Sequence, residues 1–407
     1  MAVTYGFADS GGPQTLRGSN QSGMRAYNER LVLSLVRRHG TMVKTELARL
    51  TGLSAQTISV IMRSLESEDL LVRGEPIRGK VGQPSVPLSI NPKGAFFFGL
   101  KVGRRSADLV LLDFLGDVVA RDHLAYPYPR PAAIIDFARR GISRMMDDLA
   151  GSERQRIAGL GIAMPFQIWN WREEVGAPTE TMDQWQKVDL KAEIAALCPF
   201  PVYLQNDATA ACAAELIFGP QSGSARQNFV YFYIGTFVGG GVVLNGSLYA
   251  GPSGNAGAMG SMPILGPDGK SQRLIDQASL IVLERMLAAE GIDPAPLSRS
   301  PDDWSGLEAQ AGRWIDTVAS ALAYAIVASI SVIDFEAVII DGGMPCRLRD
   351  ELVEKTRTAM TKHDLQGLAV PAIEPGTMGP IARAKGAASL PLFDKYLVDQ
   401  HTLMREA

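Results

Sequence analysis

The residues Gly-Leu-Ser-Ala-Gln-Thr-Ile-Ser-Val-Ile-Met-Arg-Ser-Leu, numbered 52 to 65, have the pattern of a turn followed by an amphipathic helix. Gly52 suits the left-handed backbone that ends a preceding helix, and Ser54 suits the cap of the next one. Four apolar residues then follow at the spacing of one buried helix face: Ile58, Ile61, Met62 and Leu65. This pattern predicts the turn and second helix of a DNA-binding helix-turn-helix.

The opposite face of the predicted helix carries short or hydrogen-bonding side chains, which suit a DNA major groove better than the Glu and Lys mixture of a solvated face. We expect DNA contacts from this face and from the helix before it, at Thr45, Ser54, Gln56, Thr57, Ser59 and Arg63. The alternative interpretation is a three-helix packing module with an ordinary polar surface.

The flanking sequence extends the pattern to a winged helix. An earlier apolar helix, residues 31 to 36, stops at Gly40, and residues 71 to 73 can pair with the alternating Val86, Leu88 and Ile90 as a hairpin. The hairpin tip is basic, and we expect Arg78, Lys80 and Gln83 to reach a minor groove or phosphates. The predicted DNA-binding domain therefore covers residues 25 to 92, after a leader at residues 1 to 24 that is expected to be disordered.

Length and charge separate this head from the rest of the chain. The 407 residues are too many for one ordinary core and suggest two or three domains. Residues 1 to 92 hold 11 Lys and Arg against 7 Asp and Glu, whereas the remainder holds 29 against 36. A basic head on an acidic body fits phosphate attraction confined to one end.

Cysteine usage and hydropathy favour a cytoplasmic protein. Cys198, Cys212 and Cys346 are scattered and form no CxxC pair, so neither a disulfide framework nor a thiolate metal site is supported. The amino terminus has no continuous apolar segment of the kind that signal peptides carry. Residues 317 to 333 are uncharged but rich in Ala and Ser, and we interpret them as a buried helix rather than a membrane span.

The body of the chain contains one pattern twice. Three strands predicted at residues 95–103, 107–114 and 118–126 form an antiparallel meander that precedes alternating helices and strands. A second meander at residues 229–234, 241–244 and 247–250, with an Asn245-Gly246 hairpin turn, precedes helices and the strand 337–340. The repetition predicts a duplicated α/β body with a cleft between its halves.

Three loops of the body carry residues that could bind a ligand or take part in a reaction. Asn206-Asp207 ends a strand, where a carboxylate can accept a proton from a substrate hydroxyl and an amide can bond a neighbouring hydroxyl. The glycine-rich residues 235 to 241 can present backbone N–H groups to a phosphate, and residues 341 to 343 can border a nucleotide. Taken singly, each has a plainer interpretation, since an Asp after a strand often caps a helix and glycines often mark turns.

The order of these motifs resembles the ROK family (repressors, open reading frames, sugar kinases), from about residue 25 to residue 395. The similarity is carried by Val-Tyr-Leu-Gln-Asn-Asp-Ala at 202–208, Leu-Tyr-Ala-Gly at 248–251 and Ala256-Gly257. It implies the regulator branch of that family, in which a winged helix precedes a two-lobed body, here residues 93 to 407, with the actin and hexokinase (ribonuclease H-like) fold. It also implies a homodimer or higher oligomer and a sugar-like ligand.

Departures from the family pattern argue against catalysis. Kinase members carry Asp-x-Gly-Gly-Thr in the first meander, whereas this chain has Lys-Val-Gly-Arg-Arg at 101–105. Arg104 and Arg105 have two interpretations, an anion-binding pair or solvated charge at a hairpin, and we expect the second. Sugar-binding members carry Glu-x-Gly-His, with a zinc ligand, where this chain has Ala-Met-Gly-Ser at 258–261. The cysteine-rich zinc loop is replaced by residues 266–273, and Ile275 stands where a glutamate is expected. The resemblance therefore implies no catalytic residue, metal or cofactor.

The leading hypothesis is a sequence-specific transcriptional regulator, a repressor that binds a double-stranded DNA operator and responds to a sugar or sugar derivative. Ligand contacts are expected from Asn206, Asp207, Gly235, Thr236 and Gly257. One alternative is a hexose kinase with an added DNA-binding head. Another is a regulator whose body binds a protein partner, or serves only as a dimerisation scaffold, in place of sensing a sugar.

Overall fold

The amino-terminal head is built from three helices and a small antiparallel sheet. The computed structural model describes residues 21–76, 85–170, 172–220, 226–252, 254–266 and 269–398. The elements of the head are, in chain order, α1 Gln21–His39, β1 Thr41–Met42, α2 Lys44–Thr51, α3 Ala55–Ser67, β2 Leu71–Arg73 and β3 Leu88–Ile90. The three strands lie in the order β1-β3-β2, which is the arrangement of a winged helix.

Local sequence explains these boundaries. Gly40 and Gly52 have φ angles of +79° and +69°, a left-handed conformation that ends a helix at little cost only for glycine. Ser54 Oγ accepts the Thr57 N–H at 3.1 Å and so caps α3. The predicted hairpin is confirmed, with Leu71 opposite Ile90. The predicted wing residues Arg78, Lys80 and Gln83 lie outside the described residues.

The first lobe of the body is a five-stranded sheet covered by helices. Its elements are β4 Phe96–Val102, β5 Ser106–Leu112, β6 Val118–Ala125, α4 Pro131–Asp147, α5 Gly151–Arg154, β7 Ile157–Ala163, α6 Arg172–Val175, α7 Thr179–Asp183, α8 Leu190–Ala195, β8 Val202–Gln205 and α9 Asp207–Phe218. The strand order is β6-β5-β4-β7-β8. The meander β4-β5-β6 is antiparallel, and β7 and β8 add to it in parallel.

The second lobe repeats this plan. Its elements are β9 Phe229–Ile234, β10 Val238–Leu244, β11 Ser247–Tyr249, β12 Pro263–Leu265, β13 Ser271–Arg273, α10 Leu280–Ala289, α11 Pro296–Arg299, α12 Glu308–Ile330, β14 Ala337–Gly342, α13 Cys346–Met360, β15 Ala372–Pro375 and α14 Ala382–Tyr396. The main sheet has the order β11-β10-β9-β14-β15. Because the meander and the two added parallel strands recur in the same order, the predicted duplication is confirmed.

Helix α12 is long and apolar enough to cross a membrane, by length and composition alone. Its apolar residues nevertheless pack into the core of the second lobe, where five of them are fully buried: Trp314, Ile315, Val318, Leu322 and Ile326. The interpretation of residues 317 to 333 as part of a buried helix is therefore confirmed, although the helix begins nine residues earlier and ends three residues sooner.

The last helix, α14, returns to the first lobe and lies directly on its sheet. A Cβ atom added to Gly161 of β7 would lie 1.8 Å from the Ala387 carbonyl oxygen, and one added to Gly99 of β4 would lie 2.0 Å from that of Ala384. Glycine on the strands and alanine on the helix therefore allow the two layers to approach closely. The carboxyl end of α14 reaches the head, because Val398 N–H, two residues beyond it, donates to Ser34 Oγ of α1 at 3.0 Å.

Head and body share one apolar core. Leu31 and Leu35 of α1 belong to the same buried cluster as Phe114, Tyr396 and Leu397. Polar contacts frame this junction, since Arg37 donates to the Phe114 and Leu115 carbonyls and Arg30 donates to the Asp394 carbonyl at 3.1 Å. The head is therefore packed against the body rather than tethered by a linker.

Candidate functional site

The candidate nucleic-acid interface is the outer face of α3. Ile58, Ile61 and Leu65 are buried, and Met62 packs against them partly buried, as the spacing predicts. The side chains expected to meet DNA are accessible: Gln56 and Arg63 of α3, its cap Ser54 and Thr45 of α2 are exposed, and Thr57 and Ser59 are partly exposed. These hydrogen-bonding groups are therefore available to a partner outside the chain.

Two of these side chains have local partners. Ser54 Oγ caps α3 and lies 2.9 Å from Thr57 Oγ1, so its first role is structural. The guanidinium of Arg63 lies along the helix, where Nε donates to the Ser59 carbonyl at 3.1 Å. This bond stays within α3, so Arg63 can exchange it for a base edge without disturbing the fold.

The cleft between the lobes contains a cavity of about 240 Å³. Four of the five predicted ligand residues line it, namely Asn206, Asp207, Thr236 and Gly257. Gly235 is not among the lining residues; its carbonyl accepts the Leu280 N–H at 2.9 Å. The turn that contains Gly235 is thus tied to α10, and ligand binding by Gly235 stays a prediction.

The first turn of α9 separates the roles of Asn206 and Asp207. Asn206 Oδ1 accepts from Ala208 N at 3.1 Å and Thr209 N at 3.3 Å, so Asn206 caps the helix and one acceptor is already used. Asp207 does not cap; its Oδ2 accepts from Arg383 Nη1 at 3.1 Å. A carboxylate that is ion-paired at the cavity wall is available to bind a ligand hydroxyl but is held by a cation.

The glycine-rich residues 239 to 241 do not form a phosphate loop. They lie within β10, and a Cβ added to Gly240 would lie 2.2 Å from the Tyr231 carbonyl oxygen, while one added to Gly241 would lie 2.5 Å from Cys212 Cβ. Close packing of β10 against β9 and α9 therefore requires these glycines. The strand is consequently three residues longer at its start than the predicted 241–244.

Asp341 also has a structural role. It is fully buried and accepts from Tyr231 Oη at 3.0 Å, Gly342 N at 2.8 Å and Gly379 N at 3.0 Å. Burial raises the pKa of this carboxyl group. Since its oxygens are committed to neighbouring backbone and side-chain donors, the group stabilises the end of β14.

The turn between β4 and β5 is not solvated as expected. Arg104 Nε is buried, and its guanidinium lies 4.7 Å from the centre of the Phe237 ring. Arg105 forms a 2.8 Å ion pair with Glu284 of α10. Both arginines lie inside the cleft because the second lobe covers this hairpin, which the sequence pattern of the first lobe does not reveal.

A buried lysine lies at the base of the same turn. Lys101 Nζ donates to Ser106 Oγ at 2.7 Å and to the Ser106 carbonyl at 2.9 Å, and it lies 3.3 Å from Asp108 Oδ2. Burial lowers the pKa of Lys101 to about 8 and that of Arg104 to about 10. Cations therefore occupy the place where the resemblance implies a phosphate-binding turn.

A second cavity of the cleft is much smaller. It lies between the β4–β5 turn, Thr236 and Gly343 and has a volume of about 40 Å³. Two contacts join the lobes across it, the Arg105–Glu284 ion pair and a 2.9 Å hydrogen bond between His123 Nε2 and the Ser298 carbonyl.

The departures from the family pattern lie at the cavity itself. Ala258, Ser261 and Ile275 all line the cavity. The cavity wall therefore lacks the carboxylate and imidazole groups that the family pattern has at these positions. In the described parts of the chain, no group of three or more His, Cys, Asp or Glu residues is placed to hold a metal ion. Arg383 was missed from the sequence because no local motif marks it.

Comparisons with known proteins agree with this architecture. A model named winged helix-turn-helix DNA-binding matches residues 25–72, which lie in the head. The ROK family model matches residues 97–275. The chain therefore carries a ROK family domain behind a winged helix-turn-helix.

Two relatives illustrate the range of similarity. The chain is 28% identical over 250 residues to the xylose repressor of Bacillus subtilis (strain 168), which covers 60% of this chain and 62% of that protein. It thus spans less than two thirds of that repressor. It is 23% identical over 369 residues to the uncharacterized protein y4fQ of Sinorhizobium fredii, which covers 90% and 91% of the two chains.

Solved structures share the fold. A ROK family transcriptional regulator, a homolog of the E. coli MLC protein, superposes with a TM-score of 0.65 at 18% identity and covers 94% of this chain and 100% of its own. A ROK family glucokinase from Streptomyces griseus, in complex with glucose and AMPPNP, gives 0.55 at 18% identity and covers 73% and 99%. The regulator matches head and body together, whereas the glucokinase covers a smaller share of this chain.

Proposed function

We propose that this protein is a sequence-specific DNA-binding transcriptional regulator, a repressor whose affinity for its operator is controlled by a sugar or sugar derivative bound in the cleft. The observation that carries the proposal is the outer face of α3, where Gln56 and Arg63 are exposed on a head whose core is continuous with the body. Similarity to proteins named xylose repressor supports it.

Helix α14 provides the route between ligand and DNA. Arg383, in its first turn, lines the cavity, and Tyr396, its last residue, belongs to the apolar cluster shared with α1. The whole helix has 15 residues and is about 22 Å long at the rise of an α-helix. A ligand that binds better to one position of Arg383 shifts the helix, and with it the packing of the head.

The body does not transfer phosphate in this proposal. The retained carboxylate, Asp207, is ion-paired with Arg383, and the nucleotide space is about 40 Å³. Both features oppose the kinase alternative, because phosphoryl transfer needs a free base and a bound, positioned nucleotide. ATP-dependent phosphorylation of any hexose by the purified protein would overturn this part of the proposal.

The partners follow from the function. The operator is double-stranded DNA, and a homodimer would read two half-sites separated by whole helical turns. The site of action is the cytoplasm, where the operator lies.

The DNA arm is tested by selecting bound fragments from a genomic library and measuring affinity by fluorescence anisotropy. Gln56→Ala and Arg63→Ala should each weaken binding to the selected site by about 1–3 kcal/mol and leave random DNA almost unaffected. Gln366→Ala, an exposed glutamine of the body, serves as the control and should change neither affinity. Equal losses on both DNAs would reassign the face to phosphate positioning, and the absence of any selected site would overturn the proposal.

The sensing arm is tested at the cavity. Asp207→Ala should abolish the response of DNA affinity to the effector while binding to the operator without effector stays intact, because the side chain faces the ligand and lies far from α3. Normal regulation in this variant would show that the inherited cleft is not the sensing site.

A further inference from the structure

The 240 Å³ cavity carries more positive than negative charge. Its charged lining side chains are Arg104, Asp207 and Arg383, an excess of one positive charge. Asp207 is already engaged with Arg383 at 3.1 Å. Arg104 is left without a carboxylate of its own in the cavity wall.

The guanidinium group of Arg104 lacks hydrogen-bonding partners in the protein. Among the described residues it makes no hydrogen bond or ion pair, and its Nε atom is buried without a partner. The ring of Phe237, at 4.7 Å, is its near neighbour. Arg104 is only partly buried and lines the cavity. A guanidinium with no hydrogen-bonding partner in the protein is unfavourable at such a position, and an anion from outside the chain can supply that partner.

Arg383 presents a second donor to the same cavity. One of its nitrogens binds Asp207, but its Nε is also buried without a partner, and its guanidinium lies 4.8 Å from the centre of the Tyr233 ring. Burial opposes the charge, yet Tyr233 and Asp207 hold its pKa above the ordinary arginine value. Repulsion from Arg383 together with burial lowers the pKa of Arg104, and both side chains remain cationic at neutral pH.

The charges behind the cavity wall do not neutralise Arg104. Lys101 is committed to Ser106 and Asp108, and Arg105 to Glu284. Asp207 and the partly buried Glu174 lie near enough to favour the charged form of Arg104, but neither makes an ion pair with it. The two arginines are thus placed to receive an anion.

We propose that the effector is a sugar that carries an anionic group, a carboxylate or a phosphate, which accepts hydrogen bonds from Arg104 and Arg383. This inference rests on the proposed function, in which the cleft binds the effector. The planar guanidinium fork matches both anions in geometry. Asp207 and the Asn206 amide would then meet the hydroxyl groups, since Ala258 and Ser261 leave that part of the wall without a carboxylate.

The experiment measures thermal shifts and titration calorimetry on the full chain with matched probes: glucose, glucose 6-phosphate, glucuronate, xylose, xylonate and inorganic phosphate. A ligand that binds only the folded state raises the melting temperature. We expect at least one sugar anion to protect the protein, and its neutral parent sugar to bind at least tenfold more weakly. The phosphate and carboxylate probes then identify which anion the site prefers.

The matched variants are Arg104→Gln and Arg140→Gln. Arg104→Gln should lose at least tenfold in affinity for the sugar anion and leave any weak binding of the neutral sugar unchanged. It should keep or raise the melting temperature of the ligand-free protein, because it removes a partly buried charge that has no hydrogen-bonding partner in the protein. Arg140 is a 69% exposed helix residue paired with Asp136, and its variant should bind like the wild type.

Three results would overturn the inference: equal or tighter binding of the neutral sugar, protection by inorganic phosphate equal to that by the sugar anions, or no protection by any probe anion. None of these depends on DNA. A protein that binds a sugar anion but no operator would contradict the proposed function alone, and one that binds operator and only neutral sugars would contradict this inference alone.

Discussion

The two lobes have the same strand order but opposite chemistry at equivalent turns. In the first lobe, the β4–β5 hairpin pairs Lys101 with Asp108 in register and carries Arg104 and Arg105 at its tip. In the second lobe, the β9–β10 hairpin pairs Tyr233 with Gly239 around a short Gly-Thr-Phe turn. A duplicated fold therefore does not preserve a duplicated function, and here only one of the two equivalent turns carries charge.

The largest expected effect concerns the base of the charged turn. Asp108→Asn should lower the free energy of unfolding by about 3–5 kcal/mol, because it leaves Lys101 buried without its counter-charge. It also replaces one of the two carboxylate oxygens, which together accept from Lys101, Arg121 and His123, with an NH2 donor. Urea denaturation at neutral pH measures the loss. Asp122→Asn, which breaks the exposed pair with Arg144, should cost less than about 1 kcal/mol, and similar losses in both variants would refute the contrast.

The same pair predicts a pH dependence. Lys101, His123 and Arg121 outweigh burial and hold the pKa of Asp108 well below its usual value of 3.8. The unfolded chain therefore binds a proton first on acidification, and the stability that the carboxylate contributes is present above pH 3.8 and is lost as the pH falls below it. The difference between wild type and Asp108→Asn should shrink over this acidic range. A difference that stays constant would show that the carboxylate is not shifted.

The next effect tests the uncharged turn. Gly240→Ala should destabilise the protein by about 1–3 kcal/mol, since the new methyl group would lie 2.2 Å from the Tyr231 carbonyl oxygen. Gly312→Ala in α12 meets no atom within 4 Å and should stabilise by up to about 1 kcal/mol through helix propensity. Thermal unfolding of the pair decides whether β10 needs its glycines for packing. A tolerated Gly240→Ala would show that β10 does not need this glycine for packing.

Sequence reasoning succeeded where the signal is local. The strands Val202–Gln205 and Phe229–Ile234 have the predicted bounds, and Asn245 and Gly246 both have positive φ in the predicted hairpin turn. The stripe of α3 and its cap at Ser54 follow the same rule, because each depends on residues within one or two helical turns.

The features that the sequence does not predict depend on contacts between residues that are distant in the chain. Arg383 meets Asp207 across 176 residues, and the burial of Arg104 depends on Phe237 of the other lobe. The two-residue strand β1 is too short for a periodic pattern. The sequence pattern predicts a loop for the glycines of β10, because their packing partners on α9 lie outside their own segment. The site thus depends on long-range packing more strongly than the secondary structure does.

A smaller effect is expected for the bridge between the lobes. Arg105 and Glu284 are 19% and 13% exposed, and a double-mutant cycle with alanine at each position should give a coupling energy of about 1 kcal/mol. The coupling should persist at high salt, because partly buried pairs are weakly screened. A coupling near zero would mean that the charged turn of the first lobe is not fastened to the second.

The smallest effect, a melting temperature that does not move, is expected for magnesium and ATP at millimolar concentration. A nucleotide that bound only the folded protein would raise the melting temperature, but the space beside Thr236 and Gly343 is about 40 Å³ and the Arg105–Glu284 pair crosses it. The variant that carries both Arg105→Ala and Glu284→Ala tests why ATP is excluded. If the Arg105–Glu284 pair alone excludes ATP, the melting temperature of this variant should rise with ATP. If Arg104 and Lys101 also occupy the phosphate position, it should not rise. We expect no protection in either protein, because the bridge is absent from the variant but the buried cations remain. Protection of the wild type would mean that the charged turn still admits a nucleotide, and the contrast between the two turns would then lose its functional meaning.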